Sequence, residues 1–197
     1  MTEGRCSVVY ENLDELREEV LECQNCGLAA TRRNVVFGVG APGAKILLIG
    51  EGPGENEDKQ GEPFVGRSGQ LLDKMLEYAG LSRKKNIYIA NMVKCRPPQN
   101  RDPAPDEIAA CMGWLRNQTA ILRPAIIVCI GRIAAVSLIQ KDFKVTKQHG
   151  QFIEKNGTLM TGTFHPAALL RNPVNKPAAM EDLLGVAKKA QELGLPL

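Results

Sequence analysis

Residues 45–66 read KILLIGEGPGENEDKQGEPFVG. The first six are almost wholly apolar and end in glycine, the pattern of a strand buried on both faces of a parallel sheet. The composition then changes abruptly to Gly, Pro and acid. Residues 51–66 are therefore expected to form one long loop, and loops of about this length are uncommon inside compact domains unless they carry function. Downstream, residues 68–78 place Leu71, Leu72, Met75, Leu76 and Ala79 on one helical face, with Gly80 as the stop. Residues 86–92 (NIYIANM) and 125–130 (AIIVCI) repeat the buried-strand pattern. Between them, the prolines of 94–104 forbid regular structure, and Pro105 suits the first turn of a helix that carries Cys111 and Trp114. A short helix is expected over 132–140. FIEK-NG-TLMT signals a hairpin at Asn156-Gly157, and a last helix is expected over 177–193. Upstream, 12–22 reads as a helix with Leu13, Leu16, Val20 and Leu21 on one side.

Strands alternating with helices indicate an α/β fold with a parallel central sheet, in one domain spanning residues 1–197. The working loops of such sheets leave the carboxyl ends of the strands. Three unusual segments take that position: 50–66, 91–101 and 163–173. A 197-residue chain with 44% hydrophobic and 24% charged residues can bury a full core. Its net charge of +3 leans only weakly toward a polyanion. No signal-peptide pattern or membrane-length apolar run is visible, so a soluble, cytoplasmic, monomeric protein is the default expectation.

Several generic motifs fail on context. Gly38-Val39-Gly40-Ala41-Pro42-Gly43 has dinucleotide-loop spacing but precedes its strand instead of following one. With only His149 and His165, a histidine-rich zinc site cannot be built. The six cysteines are more informative. Cys23 and Cys26 form a C-x-x-C pair, and Cys95 and Cys111 lie downstream. Four soft ligands of this kind suit either zinc or an iron–sulfur cluster, and the wide second spacing departs from that of zinc ribbons. Cys129 sits inside an apolar strand, where a lone thiol is usually packing, and Cys6 falls in an N-terminus expected to be loose.

In the three loops, single residues stand out. Glu51, Glu55, Glu57, Asp58 and Glu62 put five acids within twelve positions of a glycine-rich turn. Phe64 lies where a core aromatic is not expected, and a loop aromatic can stack on a base. Asn91 ends an apolar strand; its amide offers a donor and an acceptor together, enough to read a base edge. His165, in Thr-Phe-His-Pro at a strand end, is a catalytic candidate.

Taken together and in order, GEGPGENEDKQGEPFVGRSGQLL, NMVKCRPPQNRDPAPDEIAAC and HPAALLRNP resemble the signature segments of the family 4, iron–sulfur uracil-DNA glycosylases. The resemblance covers about residues 20–175. It implies a three-layer α/β/α fold around a four-stranded parallel sheet, and a [4Fe-4S] cluster on Cys23, Cys26, Cys95 and Cys111. It also implies uracil-containing DNA as the partner. By position, Phe64 matches the aromatic that stacks on uracil, Asn91 the base-edge reader, and His165 the histidine at the base carbonyl. Glu51 and Gly52 match the first motif, and Glu57 the acid near C5 of the base. Leu169, Leu170 and Arg171 fall in the stretch that enters the duplex from the minor groove.

Better-known glycosylase families carry an aspartate where Gly52 stands, which leaves Glu51 as the carboxylate that could hold water or offset the sugar's charge. Rejection of cytosine requires a fixed Asn91 amide, so a locking hydrogen bond is expected on it. Two rivals remain at this level: a related uracil-DNA trapping protein and a non-catalytic metal module for nucleic acid. The first needs an inserted histidine-bearing basic loop after the second motif; here Lys94 runs straight into Cys95-Arg96-Pro97.

Overall fold

The computed structural model describes residues 10–197, so the expectation for Cys6 lies outside the described residues. Helix α1 (Leu13–Leu21) opens on Asn12, whose Oδ1 accepts the backbone N–H groups of Asp14 and Glu15. Strand β1 is only Val39–Gly40, and β2 is Ile46–Gly50. Helix α2 (Glu55–Gln60) and helix α3 (Arg67–Tyr78) follow, then β3 (Ile87–Asn91). Helix α4 (Pro105–Leu122), β4 (Ile126–Ile130), α5 (Arg132–Leu138) and the single turn α6 (Val145–Gln148) lead to the hairpin of β5 (Ile153–Lys155) and β6 (Thr158–Thr163). The chain closes with α7 (Pro166–Arg171) and α8 (Lys176–Glu192).

The six strands form one sheet in the order β1-β3-β2-β4-β6-β5. Its centre is the expected four-stranded parallel array: β2 pairs in parallel with β3 and β4, and β4 with β6. Each edge adds a short antiparallel strand, β1 on β3 and β5 on β6. The Asn156-Gly157 hairpin is present, with both residues at positive φ (52° and 76°), as its two-residue turn requires.

Alternation along the central strands makes the layers. Ile46, Leu48, Ile126, Val128 and Ile130 face one side, where they meet Leu72, Met75 and Leu76 of α3 and Leu183 and Val186 of α8. Leu47, Ile49, Ile127 and Cys129 face the other, against Leu115 and Leu122 of α4 and Ile133 and Ala134 of α5. Cys129 is thus core packing, fully buried. A third cluster, centred on Leu16, Val20, Leu28, Phe37 and Val93, docks the N-terminal segment onto the loop after β3. No helix among the described residues is long and apolar enough to cross a membrane.

The segment 51–66 departs from expectation, because α2 forms inside it. Glu55, Glu57 and Asp58 occupy its first turn, where acids oppose the helix dipole favourably. The Glu57 carboxylate accepts the N–H groups of Gly54 (3.1 Å), Val65 (3.0 Å) and Gly66 (2.9 Å). One side chain thereby replaces the backbone partners that this glycine-rich loop lacks.

Candidate active site

The loops after β2, β3 and β6 converge on a cavity of about 640 Å³ at the carboxyl edge of the sheet, as the strand-end rule requires. Glu51, Gly52, Glu57, Phe64, Asn91, His165 and Arg171 all line it. Three distant stretches of sequence thus supply one site.

Asn91 is the last residue of β3 and is buried. Its side-chain oxygen Oδ1 has no hydrogen-bond partner, so the expected locking bond on that oxygen is missing among the described residues. Packing holds the amide instead. A Cβ on Gly50 would fall 2.4 Å from Asn91 Oδ1 and 2.7 Å from Cζ of Phe64, so glycine there is what lets ring and amide close over the strand end. Behind it, the fully buried Lys94 donates from Nζ to the Asn91 carbonyl (3.0 Å) and to Gln118 Oε1 (2.6 Å). The Gln118 amide in turn donates to the Phe37 carbonyl (2.9 Å).

Phe64 has φ of 54°, a left-handed backbone that is rare for a bulky residue. Its ring lies 5.6 Å, centroid to centroid, from the His165 imidazole, tilted by 35°. His165 is the N-cap of α7, and its Nδ1 accepts the N–H of Ala167 at 3.2 Å. With Nδ1 committed as an acceptor, the neutral ring carries its proton on Nε2. Burial, reinforced by the positive charge of Arg171 and opposed by Glu57, drives the His165 pKa down to about 4. Desolvation raises the Glu51 pKa, with Asp102 adding to the rise and Arg132 opposing it.

Leu169 and Leu170 separate. Leu169 is 1% exposed and belongs to the core, whereas Leu170 is 38% exposed on the outer side of α7. Consecutive helical residues point about 100° apart, so only one of the pair can face outward. Leu169 therefore packs into the core, Leu170 is exposed, and Arg171 lines the cavity. The sequence reading passed over Ser68, Asn100, Arg101, Asp102 and Arg132, which also line the cavity. Asp102 and Arg132 pair across its mouth. Their position in the proline-rich loop and at the start of α5 was the available signal.

A second, narrow cavity is lined by Cys23, Cys26, Cys95 and Cys111 together with Arg32, Lys94 and Trp114. Three of the sulfurs accept N–H hydrogen bonds: Cys23 from the Trp114 indole (3.2 Å), Cys95 from the Arg32 guanidinium (3.4 Å) and Cys111 from the Lys94 backbone (3.3 Å). Such donors fit sulfurs that carry negative charge. Burial pushes the Cys111 thiol up to about 11 and raises Cys95 as well, so a bound metal would have to displace their protons. Among the described residues, no three Cys, His or acidic side chains close tightly enough to hold a single metal ion.

Residues 37–185 match the Uracil DNA glycosylase superfamily. The chain is 43% identical over 195 residues to the type-4 uracil-DNA glycosylase of Sulfurisphaera tokodaii, covering 94% of this chain and 86% of that one. It is 45% identical over 181 residues to the type-4 uracil-DNA glycosylase of Saccharolobus solfataricus (87% and 83% covered). With its counterpart from Thermotoga maritima it shares 44% over 168 residues (84% and 87% covered). Three-layer fold, convergent strand-end loops and extended similarity agree: the chain belongs to the type-4 uracil-DNA glycosylase family.

Proposed function

We propose that this chain extrudes uracil from DNA and hydrolyses its N-glycosidic bond, leaving free uracil and an abasic site. The observation that carries this reading is that Asn91, whose buried Oδ1 has no hydrogen-bond partner, lines the same cavity as the Phe64 ring and His165. A buried acceptor without a donor costs about 1–3 kcal/mol unless a ligand supplies one. Uracil N3–H is such a donor, its O4 accepts from the same amide, and its ring face suits Phe64.

In the reaction, water oxygen bonds to the sugar C1′ as the C1′–N1 bond breaks. The electron pair leaves on the uracil ring as an anion shared between N1 and O2. The Nε2–H of neutral His165 donates to that carbonyl and stabilises charge that appears only in the transition state. Glu51, whose raised pKa makes it a readier proton acceptor, holds the water, takes its proton and offsets the sugar's positive charge. Gly52, where a Cβ would fall 2.8 Å from Val93 Cγ2, lets the turn after Glu51 pack close on the second loop, and Glu57, its oxygens held by three backbone N–H groups, presents fixed bulk toward C5. Leu170 supports the gap left in the duplex, with Arg171 toward phosphate.

The four cysteines fit a [4Fe-4S] cluster, which would supply a structural tie. It would join the Cys23–Cys26 turn to Cys95 and Cys111 and so brace the loop that follows Asn91. We read residues 1–197 as one catalytic domain acting as a monomer in the cytoplasm. The test is release of uracil, with alkali-labile strand scission, from single- and double-stranded oligonucleotides carrying one uracil, alongside thymine and cytosine controls. Tight binding without release would favour a trapping protein and overturn the reading.

A further inference from the structure

Phe64 holds its ring in place with an unusual backbone, and the structure shows what maintains it. The peptide planes on either side of its Cα set the direction of the side chain. Arg83, in the turn between α3 and β3, donates from Nη1 to the Pro63 carbonyl (2.7 Å) and from Nη2 to the Phe64 carbonyl (3.0 Å). The same guanidinium is squared by Asp73 Oδ1, which accepts from Nε (3.0 Å) and Nη2 (2.8 Å). Its side chain is only 13% exposed. On the far side of Phe64, the N–H groups of Val65 and Gly66 are taken by Glu57. Helix α3 closes the remaining direction: a Cβ on Gly69 would fall 1.9 Å from the Phe64 carbonyl oxygen.

We propose that Arg83, squared by Asp73, is the positioning residue of the base-stacking platform, holding Phe64 in its left-handed conformation at φ 54°. This rests on the reading of Phe64 as the aromatic that stacks on uracil. Arg83 touches no reacting atom. Without it, the two carbonyls are free to turn, the Phe64 backbone relaxes to an ordinary region, and the ring leaves its place beside His165. A lysine substitutes only in part, since one ammonium does not reproduce a planar fork spanning two carbonyls and a carboxylate.

The test is a double-mutant cycle with Phe64→Ala and Arg83→Ala, read by single-turnover uracil excision and by inhibition with free uracil. Arg83→Ala is expected to slow excision about 10–100-fold, the scale of a misplaced binding group. It should also weaken inhibition by free uracil about tenfold, while binding to abasic product DNA stays within about twofold. In the Phe64→Ala background, Arg83→Ala should add less than about threefold, because its effect passes through the missing ring. Millimolar guanidinium should restore part of the activity of Arg83→Ala. Asp73→Asn and Arg83→Lys give the same pattern in weaker form and serve if the alanine variant does not fold. Full multiplication of the two effects, or product binding lost in step with excision, overturns the proposal. If Phe64→Ala alone leaves excision and uracil inhibition intact, the stacking reading fails instead.

Discussion

His165→Asn separates the chemical role of this residue from its structural one. The ring's pKa of about 4 means that at pH 7 about one molecule in a thousand carries imidazolium. In the proposed reaction His165 therefore acts as the neutral ring with its proton on Nε2. Asparagine at this position keeps an N-cap acceptor for Ala167 N–H, but its own amide donor stops one bond short of the place from which Nε2 reaches the uracil carbonyl. Loss of one such donor is expected to slow excision about 10²–10³-fold, with little change in DNA affinity. His165→Ala should slow it similarly and also lose the cap, about 1 kcal/mol of stability.

The same pKa makes a stability prediction of definite sign. The folded value lies below the unfolded value of 6.5, so between about pH 4 and 6.5 the unfolded chain binds more protons and stability rises with pH. The contribution is fully present above pH 6.5 and is lost as pH falls toward 4. Its size follows from the shift, about 3 kcal/mol at 1.36 kcal/mol per unit. Urea unfolding between pH 4 and 8 should show this slope in the wild type and a shallower one in His165→Asn. Wild-type single-turnover excision should show no inflection near pH 6.5. A tenfold step there, absent from the asparagine variant, would mean that imidazolium is the active form and would refute the neutral-donor assignment.

Cys95→Ala and Cys111→Ala should lose the brown absorbance and the iron of the anaerobically purified protein, and fold less stably, whereas Cys6→Ala and Cys129→Ala should keep about four irons per chain; one stoichiometric zinc without sulfide would contradict this. Asn91→Asp should weaken uracil excision and permit some cytosine release, more at low pH where a protonated carboxyl can donate to N3. No cytosine release at any pH, with uracil excision unchanged, would show that Asn91 does not read the base. Leu170→Ala should slow excision from duplex DNA more than from single strands, because only the duplex needs its gap supported; equal losses on both substrates would remove the wedge role.

What was legible beforehand divides along a physical line. Apolar runs such as KILLIG and AIIVCI exposed the central strands, because a buried parallel strand excludes polar residues from both faces. Asn91 and His165 stood out because each is a polar residue at or just beyond the end of a strand, where the backbone turns beside the cavity. Strand β1 did not stand out: two residues carry no period, and their pairing is decided by the free edge of β3. Helix α2 was hidden because its support comes from contacts of Glu57 with Val65 and Gly66, eight and nine residues away, which no helical periodicity records.

Arg83 is the extreme case of the same rule. In Ser82-Arg83-Lys84-Lys85 it reads as one of three solvated cations. Yet it acts on main-chain carbonyls of Pro63 and Phe64, which every residue type possesses, so nothing in the identity of its partners points back to it. The loop-like composition of 51–66 follows from this. A loop that must hold an aromatic in a left-handed backbone cannot be stabilised by its own ladder. Its carbonyls and N–H groups are therefore answered from outside, by Arg83 on one side and Glu57 on the other. The glycines and acids that made the segment look irregular leave space for that bracing and, in Glu57, supply half of it.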